Sequence, residues 1–380
     1  MANTLLSPTI ITREALRVLH QEAVFIGSIN RQYDSQFANA GASPSGKIGP
    51  SLTIRMPNQF SVATGAALQL QDVSEDSQVL TVSTQKHVDF SFGVQELTLT
   101  LDDFSKRYIQ PAIKVLAANI EADAITMYKD IGNFIDNDAG ALSFLNYLQG
   151  AQKLNESLCP EDGRRKVLMH ETHNVKLTDA LKGLFNPQSN LASQYRNGVV
   201  ANNTAGFNEW MHSTLFPTHT TGTAAKTTGY SVNGATQSGS SIAITGGSTS
   251  FLKGDVVTFA GCNAVHPETK ANLGYLKQFA VTADSGTSAS SLSISPTMVT
   301  PTDSVAKANV SGYPTGSGAV VKVGAGASET LIQSLLYHPD AFTFVTADLV
   351  DVSKFGAWGA REVMDGISMR IARQYDITND

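Results

Sequence analysis

Two histidines stand three residues apart in Met169-His170-Glu171-Thr172-His173, with a carboxylate between them. A zinc hydrolase of the His-Glu-x-x-His kind needs four, so that both imidazoles share one helix face and the glutamate serves as base. Here the second histidine comes one residue early, at a strand-to-helix junction, and the sequence offers no third ligand. Surface histidines, not a metal centre, are the expected reading. Gly324-Ala325-Gly326 follows the apolar run Ala319–Val323 and resembles half a dinucleotide fingerprint, with Asp348 placed as a ribose acid. Glu329, however, occupies the position where a third glycine lets helix and strand close up. The strand also follows β-rich sequence instead of a βαβ run, so a turn leaving a domain is expected in place of a nicotinamide site. The carboxylates Asp102-Asp103, Asp136, Asp138 and Glu161-Asp162 fall at helix ends and loops, where capping or solvation accounts for them. Neither a Gly-x-Ser-x-Gly elbow nor a Walker loop occurs. No catalytic residue and no cofactor are expected.

Composition narrows the class further. The chain has 380 residues, 42% of them apolar, enough for two or three domains with a sizeable core. Net charge is −6, and the densest basic cluster, Arg164-Arg165-Lys166, directly follows Glu161-Asp162. A main task of gripping nucleic acid is therefore disfavoured. Cys159 and Cys262 are lone thiols that make neither a disulfide framework nor a zinc site, as in a protein made in cytoplasm. No apolar run reaches bilayer-spanning length, so no membrane partner is expected.

The framework that would position these groups changes character along the chain. Residues 101–180 hold 21 charged side chains and read as helices. Residues 221–300 hold 7, while 35 of those 80 positions are Ser, Thr or Gly, and they read as short strands. An α+β scaffold interrupted by a small all-β module is the expected architecture.

Within residues 1–36, Thr12 is placed to cap a helix whose Ala15, Leu16, Leu19, Ala23 and Ile26 recur at three- and four-residue steps. After a Gly/Ser/Pro break at residues 41–50, Leu52, Ile54 and Met56 alternate with polar residues, as do Val88, Phe90, Phe92 and Val94. This pattern predicts an extended β hairpin, which needs a partner surface because an isolated hairpin is marginal. Residues 102–131 predict a long helix capped by Asp102 or Asp103 and stopped by Gly132. Its stripe is Ile109, Ile113, Leu116, Ile120, Ala124, Met127 and Ile131, and Pro111 predicts a bend near its start. A helix over 141–158, a strand at Lys166–His170, a helix from His173 to Phe185 and an aromatic pair, Phe207 and Trp210, follow. Short strands at Ser241–Thr245, Val256–Phe259, Gln278–Thr282, Leu292–Ile294 and Val320–Val323, separated by glycine turns, predict a small barrel or sandwich over about 220–326. A helix from Ser328 to Tyr337, a strand at Ala341–Val345 and a β run at Ile367–Tyr375 close the chain.

Four stretches carry a family resemblance: Leu101-Asp102-Asp103-Phe104 through Ile109-Gln110, Leu116-Ala117-Ala118-Asn119-Ile120-Glu121, Ala205-Gly206-Phe207-Asn208-Glu209, and Phe251-x-Lys253-Gly254-Asp255-x-x-Thr258-Phe259-Ala260-Gly261. In this order, spanning about residues 90–350, they resemble the P22-type coat proteins, tailed-bacteriophage major capsid proteins of the HK97-like fold with an extra β-barrel. The resemblance implies an N-terminal arm (1–45), an extension loop (46–100), a spine helix and the first part of the P- and A-domains (101–219), an inserted barrel (220–326) and a closing part (327–380). It implies self-assembly into an icosahedral shell enclosing double-stranded DNA, which is held without sequence-specific binding. The implied partners are further copies in hexons and pentons, an internal scaffolding protein and a portal at one vertex. Localisation in the virion follows, after assembly in the bacterial cytoplasm. Assembly elements are then Leu52, Ile54, Met56, Val88, Phe90 and Phe92 of the loop, and Pro111, Ile113, Leu116 and Ile120 of the helix. The family usually carries a further strand-like stretch after the counterpart of Ile367–Tyr375, so an unpaired edge is expected to be exposed here, in a chain that is trimmed or divergent or whose edge a neighbour covers. From the residues alone, a tail or carbohydrate-contact module remains an alternative, favoured by the Ser/Thr/Gly-rich insertion, with a nicotinamide enzyme more remote.

Overall fold

The computed structural model describes residues 8–22, 24–33, 51–68, 70–71, 75–91, 105–136, 142–181, 203–324, 326–347, 358–364 and 367–373. These fall into two compact units.

The first unit takes the described residues up to Met56, those from Glu75 to Ala124, and those from Pro339 onward. Helix α1 (Pro8–Glu22) buries Ile11, Ala15, Leu16 and Leu19 on one face. That face packs on an antiparallel pair, β14 (Trp358–Met364) and β15 (Ile367–Arg373). Thr12 is not the cap: the helix already includes Pro8, and Thr12 is buried one turn further in. The run beginning at Ile367 is paired on one side, where β14 faces it residue for residue from Trp358 opposite Arg373 to Met364 opposite Ile367; among the described residues its other side is an edge. The short helix α2 (Val24–Ser28) leads to Asn30, whose N–H donates to the Phe342 carbonyl at 3.1 Å and whose carbonyl accepts from Phe344 N at 3.0 Å. The strand expected at Ala341–Val345 is thus a 3₁₀ turn, Pro339–Ala341, followed by a single parallel bridge from Thr343 to Asn30. A helix on one side of Asn30 leaves nothing for a longer ladder.

The hairpin has a different second strand from the one the alternation suggests. β1 (Ser51–Arg55) pairs antiparallel with β2 (Ser77–Thr81), Ser51 opposite Thr81 and Arg55 opposite Ser77. Val88 and Phe90 lie instead in irregular chain held by a helix. Lys86 bonds the Asn119 carbonyl at 3.1 Å and pairs with Asp123, and the Phe90 ring stacks on Tyr108 at 6.5 Å. Those side-chain contacts replace a ladder. Phe92 lies outside the described residues. The helix itself begins with a π-helical turn, Ser105–Ile109, and continues as α3 (Gln110–Ile125). Its buried stripe runs Ile109, Ile113, Ala117, Glu121 and Ala124, so Leu116 and Ile120 sit half-buried on its flank. The expected stripe is rotated by about one residue, because it took the larger aliphatics in preference to Ala117 and passed over a glutamate.

The second unit comprises the described residues of 57–74 and of 125–338. A 3₁₀ turn, Thr126–Asp130, ends in extended backbone at Ile131. The helix has therefore stopped before Gly132, and that glycine serves a close approach: a Cβ there would meet Gln278 O at 3.0 Å and Ser295 O at 3.2 Å. Helix α4 (Phe144–Glu156) is capped by Ser143 and Asn146 reciprocally. A three-stranded sheet follows, in which β3 (Lys166–His170) lies parallel to β4 (Glu209–Ser213) and antiparallel to β13 (Leu335–Tyr337). With helix α5 (Glu171–Leu181) it closes over Tyr147, Val167, Met169, Leu177, Phe207 and Trp210. The helix expected over Ser328–Tyr337 is instead two strands, β12 (Thr330–Leu331) and β13. Ser328 has φ +52°, which no helix continues, and Leu335 and Tyr337 alternate inward with period two.

Between β5 (His219–Thr220) and β12 stands a closed six-stranded barrel, ordered β10-β7-β6-β11-β8-β9. Its strands are β6 (Thr227–Val232), β7 (Gly239–Thr245), β8 (Val256–Val265), β9 (Asn272–Val281), β10 (Ser291–Met298) and β11 (Ala319–Val323). Tyr230 and Val232, Ile242 and Ile244, and Leu292 and Ile294 point inward by alternation around Phe259 and Phe279, whose rings lie 5.7 Å apart. Phe279→Ala should lower the unfolding free energy by about 3–5 kcal/mol, checked by denaturant unfolding; a loss under about 1 kcal/mol would show a core that is not packed this way.

Candidate assembly surfaces and the root of the barrel

The barrel is fixed to its unit by charges that are scarce in this stretch. Asp255 is 2% exposed. Its Oδ1 lies 3.1 Å from His219 Nε2, and its Oδ2 accepts from Gly222 N and Leu252 N, each at 3.0 Å. Lys322, 1% exposed, donates to the carbonyls of Gly326 at 2.7 Å and Gly222 at 3.3 Å. Burial pushes its ammonium below the usual lysine value, against the pull of Asp255 and Glu329. The chain's way into the barrel (Gly222), an internal turn (Leu252 to Asp255) and its way out (Lys322 to Gly326) thus meet at one knot of satisfied buried groups. Gly254 sits in that turn at φ +99°, and a Cβ there would press on Lys129 and His219.

A second seam joins the barrel to the elements beside it. Gln278 Oε1 accepts from Phe134 N at 2.8 Å and from Lys153 Nζ at 2.5 Å, and Lys153 also donates to the Phe134 carbonyl at 2.6 Å. Tyr275 donates to Glu156 at 2.6 Å, while Lys253 pairs with Asp130 and Lys226 with Asp136 at the rim. A cavity of about 40 Å³ opens here, lined among others by Lys153, Lys277, Glu156 and Gln278. Burial lowers the Lys153 ammonium to about 8, helped by the positive charge of Lys277 and opposed by Glu156.

The groups that suggested chemistry are engaged otherwise. His170 Nδ1 accepts from Thr172 N, and His173 Nδ1 lies 2.7 Å from Ser334 Oγ. Burial lowers His173 to about 4. No group of three potential metal ligands occurs among the described residues. Glu329 Oε2 accepts from Gly326 N at 2.8 Å and Glu329 N donates to Thr221 Oγ1, so the Gly-x-Gly-x-x-Glu stretch folds as the barrel's way out. A strand follows it, so no helix N-terminus faces a pyrophosphate there. Asp348 lies outside the described residues.

The arm elements show apolar side chains to solvent. Leu52 and Ile54 are half-buried on β1 and Met56 is exposed. Residues 57–68 and 70–71, which lie between β1 and β2 in the chain, expose Phe60, Val62 (97%), Leu68 and Leu70 (89%). Val88 and Phe90 are exposed as well. On α3, Ile113 is buried and Pro111 exposed, immediately after the π-helical turn. Sequence reading passed over Asp255, Lys322, His219, Lys153 and Gln278. One signal was available: Lys322 falls two residues after the inward-facing Val320, in a strand whose alternation sends it inside.

Comparison with known families finds that the family described as P22 coat protein, gene protein 5, matches residues 39–380. No curated protein matches. Among solved structures, one from Mycobacterium phage Che8 is similar with a TM-score of 0.39 and 16% identity, over 51% of this chain and 70% of that one. The CUS-3 coat protein I-domain is similar with a TM-score of 0.21 and 27% identity, over 26% of this chain and 96% of that one.

The lowered Lys153 gives a pH test of the seam. Its unfolded value is 10.5 and its folded value about 8, so unfolding takes up a proton between them and stability rises with pH across that window. Chemical denaturation from pH 7.5 to 10.5 should show that rise in the wild type and a flatter profile in Lys153→Met.

Proposed function

The chain belongs to the P22 coat protein family and is a major capsid protein of a tailed phage, and from that premise we propose how its parts share the work of assembly. It is a structural component of the virion that assembles from many copies. Among the described residues no helix is long and apolar enough to cross a membrane.

The proposed arrangement is an HK97-like subunit. Residues 46–100 act as the extension loop lying over a neighbour, and α3 is the spine. Residues 101–219 and 327–380 contribute the P- and A-domains, which meet around hexons and pentons, and 220–326 form an inserted barrel that stabilises its own subunit and reaches the next. One observation carries this reading: Phe60, Val62, Leu68 and Leu70, between β1 and β2 in the sequence, present large apolar surface to water among the described residues. Burying each on a neighbour contributes about 1.5–3 kcal/mol, and a closed shell repeats that gain at every contact. Assembly on an internal scaffolding protein in the host cytoplasm, with a portal at one vertex and DNA enclosed without sequence-specific grip, completes the proposal. A net charge of −6 suits a wall that encloses DNA without adhering to it.

Val62→Asp combined with Leu68→Asp should leave a folded subunit by circular dichroism yet abolish shells in electron micrographs, with only small species in sedimentation. Normal shells from this variant would remove the arm from the assembly mechanism. The π-to-α junction before Pro111 is where the helix is expected to re-form as a precursor shell expands. Pro111→Ala should change the temperature of heat-driven expansion without impairing subunit folding; unchanged expansion would count against a role for the junction.

A further inference from the structure

The buried stripe of α3 contains a carboxylate. Glu121 is 1% exposed, and its Oε1 accepts from Phe25 N at 3.0 Å, across 96 residues of chain. The neighbouring amides of Val24 and Ile26 face the same carboxyl, while Oε2 is buried with no hydrogen-bond partner among the described residues. These amides belong to the first residues of α2, where a helix leaves N–H groups unsatisfied and a Ser, Thr, Asp or Asn usually caps them. The sequence there reads Glu22-Ala23-Val24 and supplies no such cap, so Glu121 takes its place from another helix.

The other end of the segment is equally tied. Asn30 exchanges backbone hydrogen bonds with Phe342 and Phe344, and the Phe25 ring meets Phe342 edge-on at 5.5 Å. Residues 24–30 therefore join the long helix to the 339–344 stretch. A glutamine would accept the same hydrogen bond at nearly the same size, so the charge is not needed for capping.

We propose that Glu121 is the positioning residue that fastens residues 24–28 to helix α3, and that its buried carboxyl makes this fastening loosen as pH rises. Burial outweighs the three amides and holds the carboxyl above its ordinary 4.5. A group raised in the attached state stabilises it fully below 4.5, and that contribution is lost as pH climbs through the raised value. Burial and the three amides are the causes of the shift; among the described charged groups on the elements packed here, α2 has none, Asp123 pairs with Lys86, and Lys114 and Asp340 are exposed. Ionisation then leaves a charge in a dry site with one oxygen unsatisfied, which favours release of the segment.

The test is amide hydrogen exchange at Phe25 and Ile26 in the full-length subunit at pH 5 and pH 7.5, corrected for the intrinsic exchange rate. Wild-type protection should be measurably lower at pH 7.5 than at pH 5, because the carboxyl is held above its ordinary value. Glu121→Gln should show high protection at both, and Glu121→Ala low protection at both. Equal wild-type protection at the two pH values, a pH dependence persisting in Glu121→Gln, or full protection in Glu121→Ala would each overturn the proposal. Because exchange is read on the subunit and not on shells, failure here is distinct from failure of the assembly scheme.

Discussion

A chain that leaves a small sheet for about a hundred residues must return to nearly the place it left. Thr220 and Thr330 are paired across that excursion, and β3 and β13, one before it and one after, lie in the same three-stranded sheet. Backbone pairing of two residues cannot hold such a closure alone. Asp255, His219 and Lys322 complete it, by placing satisfied buried polar and charged groups where the outgoing chain, the returning chain and a barrel turn coincide. Buried groups of this kind contribute little net stability compared with apolar packing, but each misalignment strands a charge in a dry site. What they enforce is a single geometry.

That geometry separates two kinds of surface. The barrel satisfies its backbone around a full circle and its side chains around one aromatic centre. The β1–β2 pair does neither, and Phe60, Val62, Leu68 and Leu70, which lie between its strands in the sequence, are exposed among the described residues. On the proposed reading, the part that folds alone supplies a stable block and the part that cannot supplies the drive to assemble.

Much of the architecture was legible because period and composition report burial directly. Five of the six barrel strands announce themselves as short alternating runs between glycines, with β6 left unread, and Lys166–His170 as a buried strand. Errors fell where contacts distant in sequence decide the outcome. Ser328–Tyr337 has helix-like spacing, yet β5 and β3 offer it strand partners. Val88 and Phe90 alternate like a strand, yet Lys86 and Phe90 anchor that stretch to α3 and Tyr108. The stripe of α3 was read through Leu116 and Ile120 because a glutamate is an unlikely core residue without knowledge of the amides that meet it. Lys322, Asp255 and Gln278 escaped for the same reason, since a polar residue's burial depends on partners that no local window contains.

Closure of the six strands also bears on how such a protein fails. A ring of strands has no outer rim of unsatisfied amides and carbonyls, so it offers no template on which a stray chain can lengthen a ladder. Wrong associations at high concentration must therefore begin elsewhere, at strands with an open outer side such as β1 and β2. Strands of five residues give a stray chain little length to bind, which makes brevity there a safeguard against fibres.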